Sequence, residues 1–197
     1  METVVCHDCR FNNKRFPCLG RDGKRDYDKL AEAYIGREMN IHKDSSGSEW
    51  ARECVRALEA VDPGATLYFI LIALDRLGRA NAANLSSLAA GPLEAILDGF
   101  GEAVIGPVET IAKKSPKFRL LLSSVWGASR IAPAVWKRVQ KAVENGPLLD
   151  QDHRTPGFGS GTAPVSEEEF WQLIETSCLA DLGGREPAAA LTGAVPG

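Results

Sequence analysis

LYFILIAL, Leu67 to Leu74, is eight apolar residues without a break. Alone, such a run fits a buried strand or a buried helix, because periodicity cannot separate the two over so short a span. The flanks separate them. Asp62-Pro63 has the chemistry of a helix start. A carboxylate accepts from an open N–H, and the next residue has a ring-fixed φ and no N–H to satisfy. Gly78 fits a C-terminal stop. A helix enclosed on all sides is expected, and no partner strand is evident elsewhere.

The same period continues outward. From Asp26, the residues Tyr27, Leu30, Tyr34 and Ile41 fall near one helical face. KDSSGSE (Lys43 to Glu49) interrupts, and Ser46 with Glu49 has capping-box spacing. Trp50, Cys54, Leu58 and Val61 form the next apolar stripe. Pro92 opens a helix with Leu93, Ile96 and Leu97 inward. Pro107 is expected to kink the helix that carries it, because its ring displaces a backbone hydrogen bond. After Ser115-Pro116, Phe118, Leu121, Leu122 and Val125 repeat at i, i+3, i+4 and i+7. Val135, Trp136, Val139 and Val143 follow Pro133. Ser166 and Glu169 form another capping box, before Phe170, Trp171, Ile174 and Cys178.

The expected fold class is all-α: an irregular antiparallel helical bundle or a short α-solenoid, with a small cysteine-containing N-terminal knuckle. Short connections favour antiparallel neighbours, and the lack of an internal repeat weighs against the solenoid. The expected organisation is a zinc knuckle over 1–25, a helical domain over 26–145 and a Gly/Pro-rich linker over 146–165. An amphipathic helix over 166–183 and a disordered tail over 184–197 complete it.

The chain has 197 residues, 44% of them apolar, enough for a real core. A net charge of −3 argues against a surface that coats nucleic acid or membrane wholesale. No apolar run approaches the roughly 20 residues needed to span a bilayer. METVVCHDC lacks the features of a signal peptide. The expected location is cytoplasmic, where thiols stay reduced.

VVCHDCRFNNKRFPCLGRDGKR, Val4 to Arg25, carries the candidate metal chemistry. Cys6 and Cys9 have the Cys-x2-Cys spacing that places two thiolates on one zinc ion, and Cys18 supplies a third ligand after a turn. His7, His42 and Cys54 are the candidates for a fourth. Such a zinc would supply folding energy in place of a core. The segment is also basic. Arg10, Lys14 and Arg15 interleave with Phe11 and Phe16, a pattern able to contact phosphates and stack on bases.

The segments GPLE (Gly91 to Glu94), PKFR (Pro116 to Arg119) and Val125-Trp126 carry a resemblance. Over about residues 26–143 the chain resembles an uncharacterised bacterial helical domain family of unknown function, from which Pro107 departs. The resemblance implies an all-helical domain with no established activity, so no catalytic residue transfers. Separately, EEEFWQLIE (Glu167 to Glu175) resembles the opening helix of a second uncharacterised bacterial domain.

Other chemistry is sparse. GFGSGT (Gly157 to Thr162) lacks the Lys-Ser/Thr ending of a phosphate loop and reads as spacer. Trp50, Trp126 and Trp136 read as core. Phe170, Trp171 and Ile174 form a greasy face on a tethered helix, suited to docking on the body or on another protein. The sequence thus points to a non-enzymatic bacterial protein-interaction module with a structural zinc site and no membrane contact. Its alternatives are a nucleic-acid-associated protein using the basic knuckle, and an enzyme with a pocket near Glu94 and Arg119.

Overall fold

The structure, a computed structural model, describes residues 18–20, 24–38, 49–148 and 165–193. These residues are all-α. Ten helices follow in order: α1 (Tyr27–Glu38), α2 (Glu49–Val61), α3 (Pro63–Asp75), α4 (Asn84–Leu88), α5 (Glu94–Lys114), α6 (Pro116–Leu122), α7 (Pro133–Val143), α8 (Glu167–Glu175), α9 (Cys178–Asp181) and α10 (Arg185–Gly193). Ahead of α1, Leu19 and Arg25 form an isolated antiparallel bridge. No helix of the described residues is long and apolar enough to cross a membrane.

The apolar run is a helix. Asp62 accepts from the Ala65 N–H at 2.8 Å, and Pro63 opens α3. From Leu67 to Leu74 every side chain except Tyr68 is fully buried. α1, α2, α5, α9 and α10 surround the helix. Tyr68 lies half-buried with its ring edge-on to Tyr27, 5.0 Å between centroids. Burying one large apolar side chain is worth about 1.5–3 kcal/mol, so α3 anchors the bundle. It ends at Asp75 rather than at Gly78, which instead starts a 3-10 turn over Arg79–Asn81.

α5 and α7 run parallel. Val135 of α7 packs on Gly101 of α5, and further along both helices Arg138 bonds Glu109. The short α6 carries the chain back between them. A Cβ at Gly101 would lie 2.9 Å from Val135 Cγ2, so this close crossing needs glycine. The backbone of α5 breaks at Phe100 (φ −131, ψ 25), between Gly99 and Gly101, not at Pro107. Pro107 removes only the hydrogen bond to the Ala103 carbonyl, and both residues are partly open to solvent. The helix continues through it.

Two expectations about the C-terminal part are corrected. The helix expected over 166–183 is two helices, because the chain extends at Thr176 and Ser177 then caps α9 through the Ala180 N–H. The tail expected to be disordered over 184–197 contains α10. Gly183 and Gly184, at φ 87° and 108°, turn the chain into it. Ala188 and Thr192 are then buried against α3, where a Cβ at Gly64 would lie 2.6 Å from the Thr192 carbonyl oxygen. An alanine-rich stretch offers little hydrophobic pattern, yet small side chains are what allow so close an approach.

Candidate functional site

A π-helical turn over Ala89–Leu93, with non-helical Gly91 inside it, delivers Glu94 to the start of α5. The Glu94 carboxylate is buried. One oxygen accepts from the Trp126 N–H at 3.3 Å, and the other pairs with the Arg130 guanidinium. A buried carboxylate needs such partners, since desolvation without them costs several kcal/mol. Glu94 therefore braces the loop between α6 and α7. Gly127 lets that loop fold tightly on itself, because a Cβ there would lie 1.9 Å from Ile131 Cδ1. Ile131 tucks beneath while its N–H donates to the Gly127 carbonyl at 2.8 Å.

On this braced loop Trp126 stands 57% exposed. It was expected in the core with Trp136 and Trp50. Trp136 is buried and Trp50 is half-buried beneath Lys29. The helix that carries the apolar stripe, α6, ends at Leu122, so the helical period no longer governs residue 126. Val61, expected on the inward stripe of α2, is likewise exposed at that helix's last residue.

Glu94 and Arg119 do not meet. Arg119 donates from Nε to the Ala112 carbonyl at 3.1 Å, and its stem lies against Gly146. The sequence overlooked Arg130, which takes the place beside Glu94. A cleft of about 550 Å³ lies elsewhere, lined by Pro116, Gly146, Pro147, Val165, Glu169 and Leu173 among others, and holds neither Glu94 nor Arg119.

A second polar centre also escaped the sequence. Lys117 is fully buried at the start of α6. Its ammonium donates to the carbonyls of Leu77 (3.1 Å), Ile174 (2.6 Å) and Thr176 (3.0 Å). All three donors of the group are used. The carbonyls lie just past or at the C-terminal ends of α3 and α8, where helix dipoles favour a cation. Burial pulls the Lys117 amine below its ordinary range, while Asp75 opposes the shift. The only sequence hint is that Lys117 stands one turn before inward-facing Leu121. Beside it, burial pushes the Cys178 thiol up to about 12, against a hydrogen bond with Ser115. Asp75 accepts from the Ser177 hydroxyl at 2.7 Å and from the Leu179 N–H at 3.2 Å. Lysine, thiol and carboxylate are all packed into structural bonds. A thiol so far from ionising is a poor nucleophile.

Of the metal candidates, Cys18 is buried, and the Asp26 N–H donates to its carbonyl at 2.9 Å. Cys54 is buried on α2. Cys6, His7, Cys9 and His42 lie outside the described residues, as do Arg10, Lys14 and Arg15. Among the described residues no three His, Cys, Asp or Glu side chains gather as a metal-binding group. On α8, Ile174 is fully buried and faces the body, so it is not available to a partner as expected. Phe170 and Trp171 are half-buried, with the Arg79 guanidinium 5.4 Å from the Trp171 ring centre. The greasy face docks on its own body.

No curated protein and no solved structure matches the chain. A family model does match, from the end of α1 to Gly146, more than half of the chain, leaving α8–α10 outside. The chain belongs to that family, a family of unknown function (DUF6869), matched over residues 38–146.

Proposed function

We propose that this protein is a non-enzymatic interaction module of the cytoplasm, and that the loop carrying Trp126 is its contact surface with another protein. One observation carries the reading: a tryptophan more than half exposed, on a loop braced from beneath by a buried carboxylate and an arginine. Tryptophan is enriched among the few residues that dominate binding energy at protein interfaces. Holding it rigidly lowers the ordering cost of association. The saturated Lys117 ammonium and the suppressed Cys178 thiol support the non-enzymatic part.

Replacing Trp126 with a photoreactive benzoyl-phenylalanine in the native host tests it. One discrete protein adduct is expected, absent when the probe replaces exposed Lys137. Excess wild-type protein should compete the adduct away, and Trp126→Ala protein should not. Equal labelling from both positions, or none, would overturn the reading.

A structural zinc at Cys6, Cys9 and Cys18 is part of the same proposal. It would fix the N-terminal segment ahead of α1, and Cys18 is already held beside α1, its carbonyl accepting from the Asp26 N–H at 2.9 Å. Native mass spectrometry should find about one zinc per chain, lost on replacing Cys6 and Cys9 by serine. A metal-free mass for the wild-type chain would remove the zinc without touching the Trp126 reading.

A further inference from the structure

We propose that α8–α10 is a strap that opens as one unit while α5–α7 stay folded, that Lys117 is its latch, and that opening delivers the Cys178 thiol to solvent. The geometry of the fastenings points this way. The helices of the strap cap themselves: Ser166 and Glu169 at α8, Ser177 at α9. Their hydrogen bonds to the body run through a few side chains. Lys117 holds the Ile174 and Thr176 carbonyls. Asp75 holds Ser177 and Leu179. Arg79 pairs with Glu175 at 2.5 Å, and Arg185 grips Asp28 through both nitrogens at 2.5 and 2.7 Å. The apolar part is a row of small and medium side chains, with Ile174, Cys178, Leu179, Leu182 and Ala188 buried and Phe170, Trp171, Leu173 and Leu191 half-buried against the core.

Parts of a protein that share few buried contacts and fasten through discrete polar bonds open at lower free energy than the whole. The α5–α7 pair meets along a continuous seam of branched side chains, with Val104, Val108, Ile111, Val135, Val139 and Val143 all buried, and one ion pair, Arg138 with Glu109, at its edge. Lys117 is the decisive fastening because it is buried and bonds both sides at once. Of its three carbonyls, Leu77 belongs to the body and two belong to the strap. Removing the ammonium strands all three acceptors in the closed form. In the open form they face water, so the substitution penalises closure alone.

The test uses the full chain. Hydrogen exchange read by mass spectrometry compares amides of residues 167–182 with those of 135–143. Alkylation by iodoacetamide, read on the Cys178 peptide, reports delivery of the thiol. In the wild-type protein the strap should exchange at least tenfold faster than α7. Lys117→Met keeps the aliphatic stem and should speed Cys178 alkylation roughly ten- to a hundredfold, with α7 exchange changed less than threefold. Lys117→Arg, which keeps a cation, should fall between the two. Equal protection of strap and α7 in the wild-type chain would overturn the proposal whether or not the variants fold. So would a Lys117→Met protein that loosens both regions alike.

Discussion

Gly64→Ala sets two opposed effects against each other at one atom. Gly64 lies in the first turn of α3. In a helix, alanine is favoured over glycine by up to about 1 kcal/mol, so on α3 alone the change is stabilising. The added Cβ, however, would stand 2.6 Å from the carbonyl oxygen of Thr192 in α10. The obstacle is backbone, and no rotamer change relieves it. α10 must retreat by several tenths of an ångström, and a gap of that size forfeits a quarter to a half of the dispersion energy of the contacts it opens. Overpacking of this kind costs about 1–3 kcal/mol. The clash outweighs the propensity gain, and the expected net loss is about 1–2 kcal/mol, or about 3–6 °C in Tm for a chain of this size. Gly36→Ala is the control, since a Cβ on that helical glycine meets nothing within 4 Å. It should stabilise by about 0.5–1 kcal/mol. Urea unfolding followed by circular dichroism reads both. If Gly64→Ala stabilises as Gly36→Ala does, α10 does not dock where it is placed, and the close approach to α3 is wrong.

The remaining predictions concern aromatic burial and acid. Trp136→Ala should cost about 3–5 kcal/mol, as a buried aromatic truncation does, while Trp126→Ala should change stability by no more than about 0.5 kcal/mol; comparable losses from both would mean that Trp126 packs rather than displays. Asp28 accepts from Arg185 and Arg76, and these guanidinium groups hold its carboxyl well below the usual range. An unfolded aspartate titrates near about pH 4, so the Asp28 contribution is whole above that value and is lost as pH falls through the lower folded value. Asp28→Asn should therefore flatten the fall in urea midpoint below about pH 4. An unchanged acid limb would show that the arginines do not act on it.

The caps were legible because their chemistry is local. Asp62, Ser115 and Ser166 each accept from the N–H three residues on, and three residues of sequence suffice to specify that. The stripe of Phe118, Leu121 and Leu122 is buried as its period implied, and Val125, beyond the end of α6, is buried too. What escaped was long-range. Nothing near Glu94 names Arg130, because the pairing depends on the parallel return of α7 along α5. Beyond its place one turn before Leu121, the sequence around Lys117 does not announce burial, since two of its acceptors lie 57 and 59 residues away. Trp126 failed for the opposite reason. An apolar residue next to a strong amphipathic stripe was given the stripe's direction, although the helix had already ended. The family match extends across both Glu94 and the Trp126 loop, while the segments that close over α3 from either end of the chain fall largely outside it.

That enclosure has a consequence for biosynthesis. α3 leaves the ribosome about a hundred residues before α9 and α10 do, a delay of roughly 5–20 seconds at ordinary rates of elongation. Throughout that interval the most oil-like helix of the nascent chain lacks part of its sheath. Such a surface is what chaperones that scan emerging polypeptides bind, and ribosome-associated capture of this protein should begin once α3 is out and end once α9 and α10 have emerged to cover it.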